Sequence, residues 1–163
     1  MEEEKLEIRE SNTPTEDADR VVRNHVWISL VTGLIPVPII DFLGITAIQL
    51  NMLRRLSNAY GIPFHANKGK NILGSLVGGS FAPSLTVSLI KGIPFLGLAA
   101  GMFVMSITAA ASTYAVGKIF IQHFASGGTF LSFDPEKVRG YYQEMFKEGE
   151  QIATEMKRKR KTV

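Results

Sequence analysis

From Ile72 to Gly117 the only charged side chain is Lys91. A stretch that long without charge lies inside a protein core or inside a lipid bilayer, because water-facing helices carry charge on at least one face. The other charges lie at or before Lys70 or from Lys118 onward, so the middle of the chain is chemically distinct from both ends. With 163 residues in total, the length suits one domain with a real core rather than two.

The punctuation around this stretch is helical throughout. Residues 1–14 are acidic and aperiodic and read as a disordered arm. A first helix is expected from Glu16, capped by Thr15, to about Leu34, where Pro36 and Pro38 remove backbone donors and push the preceding residues out of the helical region. The next, about Ile39 to Tyr60, should end at Gly61 in a left-handed cap, with Pro63 blocking continuation. After a loop over 62–70, two apolar segments follow, Asn71–Ile90 and Gly92–Gly117, as a candidate hairpin over 71–117. The chain breaks again at Ser126-Gly127-Gly128, and a last amphipathic helix is expected from the Asp134-Pro135 signal. No strand alternation and no internal repeat competes. The fold expected is all-α: a helical bundle of about five to six helices over residues 15–152, with the apolar hairpin at its centre and a basic tail over 153–163.

Each apolar segment is long enough at about 1.5 Å per residue to reach across about 30 Å of hydrocarbon. Gly74 with Gly78, and Gly97 with Gly101, give each segment the small-x-x-x-small spacing that lets helix backbones approach closely in lipid and offers a surface for self-association as a homo-oligomer. Lys68, Lys70 and Lys118 flank the hairpin against Lys91 at its turn, a bias that would set both ends of the chain in the cytoplasm with the hairpin in the cytoplasmic membrane. The same segments would equally serve as interior helices of a soluble bundle, and Pro83 would kink the first of them. The basic run Lys157, Arg158, Lys159, Arg160, Lys161 would attract anionic lipid or remain solvated.

Little else points to chemistry. There is no cysteine, which excludes disulfides and thiolate metal sites. The acidic start lacks the charge pattern of a secretory signal. Gly74 to Ser80 resembles a phosphate-binding loop but has serine where that loop needs lysine, and Asn67-Lys68-Gly69-Lys70 ends on the wrong charge for reading guanine. His25, His65 and His123 are far apart with no partners at ligand spacing. No catalytic, cofactor or metal site is expected, and no basic face interleaved with aromatics suggests nucleic acid. Asp41, among Ile39, Ile40, Phe42 and Leu43, reads either as a first-turn residue stabilised by free amides and the helix dipole, or as part of a polar network with Gln49 or Arg54.

Four pieces in order, Ile35-Pro36-Val37-Pro38-x-x-Asp41 continuing to Gln49, Met52 and Tyr60-Gly61, then Thr113-Tyr114-Ala115-Val116-Gly117-Lys118, and Phe133-Asp134-Pro135-Glu136-Lys137-Val138, resemble the YcjF-like, GTPase-associated family of bacterial helical domains. The resemblance implies a membrane protein of unknown biochemical role, in a family whose members stand alone or follow a small GTPase domain. With no catalytic set among the residues, the expected function is a non-catalytic membrane-associated module that anchors or responds to such a GTPase or another cytoplasmic partner. Here such a GTPase would have to be supplied in trans. The alternative is a soluble helical adaptor or lipid-binding protein with the apolar segments in its core.

Overall fold

The backbone of residues 13–32, 38–84 and 94–160 is described by the structure, a computed structural model, with side-chain surroundings for 13–31, 44–77 and 104–159. Five helices and no strand occur among these residues: α1 (Pro14–Thr32), α2 (Pro38–Ala59), α3 (Ala66–Ser84), α4 (Pro94–Ala125) and α5 (Arg139–Arg160). The all-α expectation holds. Pro36, and the side chains of Pro38, Asp41, Gly78, Gly97, Gly101, Arg160 and Lys161, lie outside the described residues.

Local chemistry sets the helix ends. α1 starts two residues before the expected Glu16: Pro14 takes the first helical position, and the Glu16 carboxylate reaches back to accept from the Thr13 N–H at 3.3 Å, one half of a capping box. α2 begins at Pro38, so the Asp41 backbone falls in its first turn. It ends at Gly61 with φ +65°. The Gly61 N–H donates to the Asn58 carbonyl at 3.2 Å and the Ile62 N–H to the Ser57 carbonyl at 2.7 Å, the paired bonds of a Schellman cap. Gly127, φ +81°, closes α4 in the same way. α3 begins earlier than the sequence suggests, at Ala66, so Lys68 and Lys70 sit on the helix rather than in a loop, and it runs one residue past Pro83. Residues 135–138 form a turn, with the Asp134 carboxylate accepting from the Glu136 N–H, and α5 starts only at Arg139. It continues through residues 153–160, carrying most of the basic run on its last turns.

α4 is the central element. It has 32 residues, about 48 Å at 1.5 Å per residue, and packs along α1, α2 and α5, while α3 lies on α2 and touches α5. Ala110, Ala111, Ala115, Val116, Ile119 and Phe120 are buried at these contacts. Two glycines set how closely the helices approach. A Cβ on Gly117 would stand 2.5 Å from Val22 of α1, and one on Gly149 of α5 would stand 2.9 Å from the backbone Cα and O of Ala111. At Gly74, in contrast, a Cβ would meet nothing within 4 Å.

Among the described residues one stretch, Val104–Ala125, is long and apolar enough to cross a bilayer, and 67% of its window is buried inside the bundle. Two of its polar side chains are matched by acidic groups on α1 and α5. Lys118 pairs with Asp19 at 2.8 Å, and the Tyr114 hydroxyl donates to Glu148 at 2.7 Å.

One end of the bundle is closed by aromatic rings. Phe120 stacks on Phe133 with centroids 4.6 Å apart, and Phe124, Phe130 and Phe64 join edge-on or tilted. Tyr60 leans on Phe124 there, and its buried hydroxyl has no hydrogen-bond partner among the described residues. Because an unpartnered buried hydroxyl carries its full desolvation penalty, Tyr60→Phe is expected to leave stability unchanged or raise it by up to about 1 kcal/mol. Urea denaturation of the two proteins measures this directly.

Candidate functional site

Aromatic packing closes the end of the bundle near Phe130, and the opposite end is built differently. There α4 begins, α1 and α3 finish and α2 starts, and the sequence linking them (33–37 and 85–93) is almost wholly apolar. The large apolar side chains left in solvent fall mainly toward this end: Val104 is 61% exposed and Met105 49%, and Ile28 and Val31 are exposed in the last turns of α1. Single exposed apolar residues are ordinary, but several on one end of a bundle mark a contact surface.

A groove between α2, α3 and α4 opens beside them. It encloses about 220 Å³, with Ile45 and Thr46 on one wall, Leu73, Gly74 and Val77 on another, and Val104, Met105, Thr108 and Ala109 on the third. Gly74, expected with Gly78 to allow close packing in the hairpin, faces α4 across this groove. Gln49 and Ser112 close its inner end, and Lys70 stands at the rim there.

The inner end is a buried polar cluster that ties four helices together. Gln49 Nε2 donates to Ser112 at 3.1 Å and reaches Thr113 at 3.4 Å; Tyr142 donates to Ser112 at 3.1 Å. Thr113 gives its own proton to the Ala109 carbonyl at 2.9 Å, so the 2.8 Å bond with Ser29 has Ser29 as donor. Ser29, Gln49, Ser112 and Thr113 are all fully buried, a setting in which each unmade bond is costly. Burial pushes the Tyr142 hydroxyl up to about 12, which keeps it protonated as a donor at neutral pH. This cluster went unrecognised in the sequence apart from Gln49. The signal was there in Ser112-Thr113, two adjacent hydroxyls interrupting the most apolar part of the chain.

The basic run lies at the apolar end. Lys157 donates to Ser106 at 2.9 Å, so the last turns of α5 stand beside the base of the exposed Val104–Met105 pair, and Lys159 is exposed. Of the other sequence candidates, Tyr60 and Gly61 sit at the far end, more than three turns along α2 from the groove residue Ile45. His25 and His123 are structural. His25 bridges the Val21 carbonyl and Asn51, and His123 donates to the Thr129 carbonyl at 2.9 Å. Among the described residues no three His, Asp or Glu gather as metal ligands.

The chain is 33% identical over 144 residues to magnetosome membrane protein 22 of Magnetospirillum gryphiswaldense, a similarity covering 86% of this chain and 74% of that protein. No solved structure matches it. Residues 3–151 match the family described as Domain of unknown function (DUF697), a span that takes in α1 to α4 whole and half of α5. Coverage of that extent establishes that the chain belongs to the DUF697 family.

Proposed function

We propose that this protein is a non-catalytic helical module seated by its apolar end in the cytoplasmic membrane, with the rest of the bundle in the cytoplasm. The observation that carries this reading is the cluster of exposed Val104 and Met105 at the end where α1 and α3 finish and α4 begins, with a basic helix end beside it. The similarity to a protein named as a membrane protein supports it.

The depth of insertion follows from what the bundle already buries. Among the described residues the stretch long and apolar enough to cross, Val104–Ala125, is 67% buried inside the bundle, which favours an end that dips into one leaflet over a hairpin that crosses. Both described ends of the chain then stay on the cytoplasmic side, with Arg158 and Lys159 at the level of anionic headgroups.

Flotation with vesicles of phosphatidylcholine and phosphatidylglycerol tests this. The full chain is expected to float with them, and Arg158→Gln with Lys159→Gln to weaken binding on the order of thirtyfold, at about 1 kcal/mol per basic residue. A chain that stays at the bottom of the gradient at low salt contradicts the reading. At the other end Leu131, 68% exposed on the loop between α4 and α5, is the surface for a cytoplasmic partner. A small GTPase in trans is the class the family resemblance suggests. Leu131→Asp should then abolish co-purification of such a GTPase without changing flotation, and unchanged co-purification would reject that surface.

A further inference from the structure

We infer that the groove between α2, α3 and α4 is a slot for one acyl chain of an anionic phospholipid, whose phosphate pairs with Lys70. The inference rests on the membrane seat proposed above, because the lipid enters from the leaflet that the apolar end occupies.

The lining selects for hydrocarbon. Ile45, Leu73, Val77, Val104 and Met105 present carbon to a space of about 220 Å³. The polar groups at its inner end are already occupied: Gln49 and Ser112 bond to each other, and Ser112 also accepts from Tyr142. A peptide or sugar placed there would lose its own hydrogen bonds to water without replacement, whereas a methylene chain loses none. At Gly74 the wall carries no side chain and has open space beyond it, so the slot stays wide midway along its length.

Charge and distance identify the head of the ligand. Lys70 is exposed at the groove rim, no carboxylate lines the groove, and Lys70 forms no ion pair among the described residues. Seven residues separate it from Val77 on α3, about 10 Å along the helix. If Val77, Val104 and Met105 lie at the hydrocarbon boundary, the Lys70 ammonium stands among phosphates. A lysine there acts as a point charge on phosphate, and the acyl chain below it runs down the groove toward the leaflet.

Binding of monomeric short-chain phosphatidylglycerol (dioctanoyl) to the full chain, followed by titration calorimetry, tests the slot apart from the membrane seat. Saturable one-to-one binding is expected. Gly74→Phe, which fills the slot, should weaken it at least tenfold, about 1.4 kcal/mol. Lys70→Glu should weaken it about fivefold or more, while Lys70→Arg retains it. Gly74→Phe should float with vesicles as the parent does, and circular dichroism should show the same helix content for both variants. Gly74→Leu replaces Gly74→Phe if the larger ring prevents folding. Flotation without saturable lipid binding, or binding indifferent to both positions, overturns the slot and leaves the seat standing. Failure of the parent chain to float overturns the seat. Octanoate binding as tightly as the phospholipid would also overturn the inference, because it would make the ligand a free fatty acid.

Discussion

Val104→Asp combined with Met105→Asp is expected to abolish vesicle flotation while leaving the bundle folded. Both side chains are largely in solvent, where substitutions usually change stability by no more than about 0.5 kcal/mol. In the membrane the cost is far larger. Each site loses the burial of an apolar side chain, about 1.5 kcal/mol or more, and would carry a charge against a penalty of about 2.5–3.5 kcal/mol toward the bilayer centre. Even half of that sum corresponds to a loss of affinity on the order of several hundredfold or more. Asparagine at the same positions should give an intermediate loss. A double aspartate chain that floats like the parent would place the membrane contact elsewhere.

The second large effect is on folding. Gly149→Val should destabilise the bundle by about 3 kcal/mol or more, at or beyond the upper end of ordinary overpacking. The added Cβ alone would stand 2.9 Å from the Ala111 backbone, and backbone in mid-helix cannot swing aside as a side chain can. α5 would have to move off α4, and the Tyr142–Ser112 and Tyr114–Glu148 bonds that join the same two helices would break with it. Gly140→Val, at an exposed position with open space at its Cβ, is the control and should cost under about 1 kcal/mol. Thermal denaturation by circular dichroism compares the two.

Punctuation was the legible part of this fold. Proline at Pro38, and glycine at Gly61 and Gly127, act through backbone restrictions that operate within a few residues, so their effects can be read locally. The surroundings of the uncharged stretch could not be read in the same way, because a protein interior and a lipid interior reject charge for the same reason. The distinguishing facts are long-range. Ser106 meets Lys157, Ser112 meets Gln49 and Tyr142, Thr113 meets Ser29, and Lys118 meets Asp19. These four positions of α4 have partners on helices that carry their own charged faces, and that pairing makes this part of the stretch a core.

Small-residue spacing misdirected attention for a related reason. The repeated glycines at 74, 78, 97 and 101 stand out inside apolar sequence, yet Gly74 faces an open groove. The close approach of α5 depends on Gly149, which sits among charged residues and has no distinctive neighbours until Ala111 lies against it. Asp41 lies in the first turn of α2 as the Pro38 signal implies. Gln49 finds partners on α4, in Ser112 and Thr113. The basic run is similarly more than a tail, since its first residue already bonds to α4.

The central claim is that the bilayer meets the Val104–Met105 end and no other part of the bundle. The chain has no cysteine, so single cysteines introduced at Val104, at Leu131 and at the buried Ile119 can each carry an environment-sensitive fluorophore or a small spin label. On adding phosphatidylglycerol vesicles, the label at 104 should shift to the blue and become accessible to quenchers carried on lipid tails, while the label at 131 stays in water. The label at 119 should stay shielded from lipid-borne and aqueous quenchers alike, before and after vesicles are added. Lipid-tail quenching at 131, or at 119 with equal strength to 104, would contradict the account.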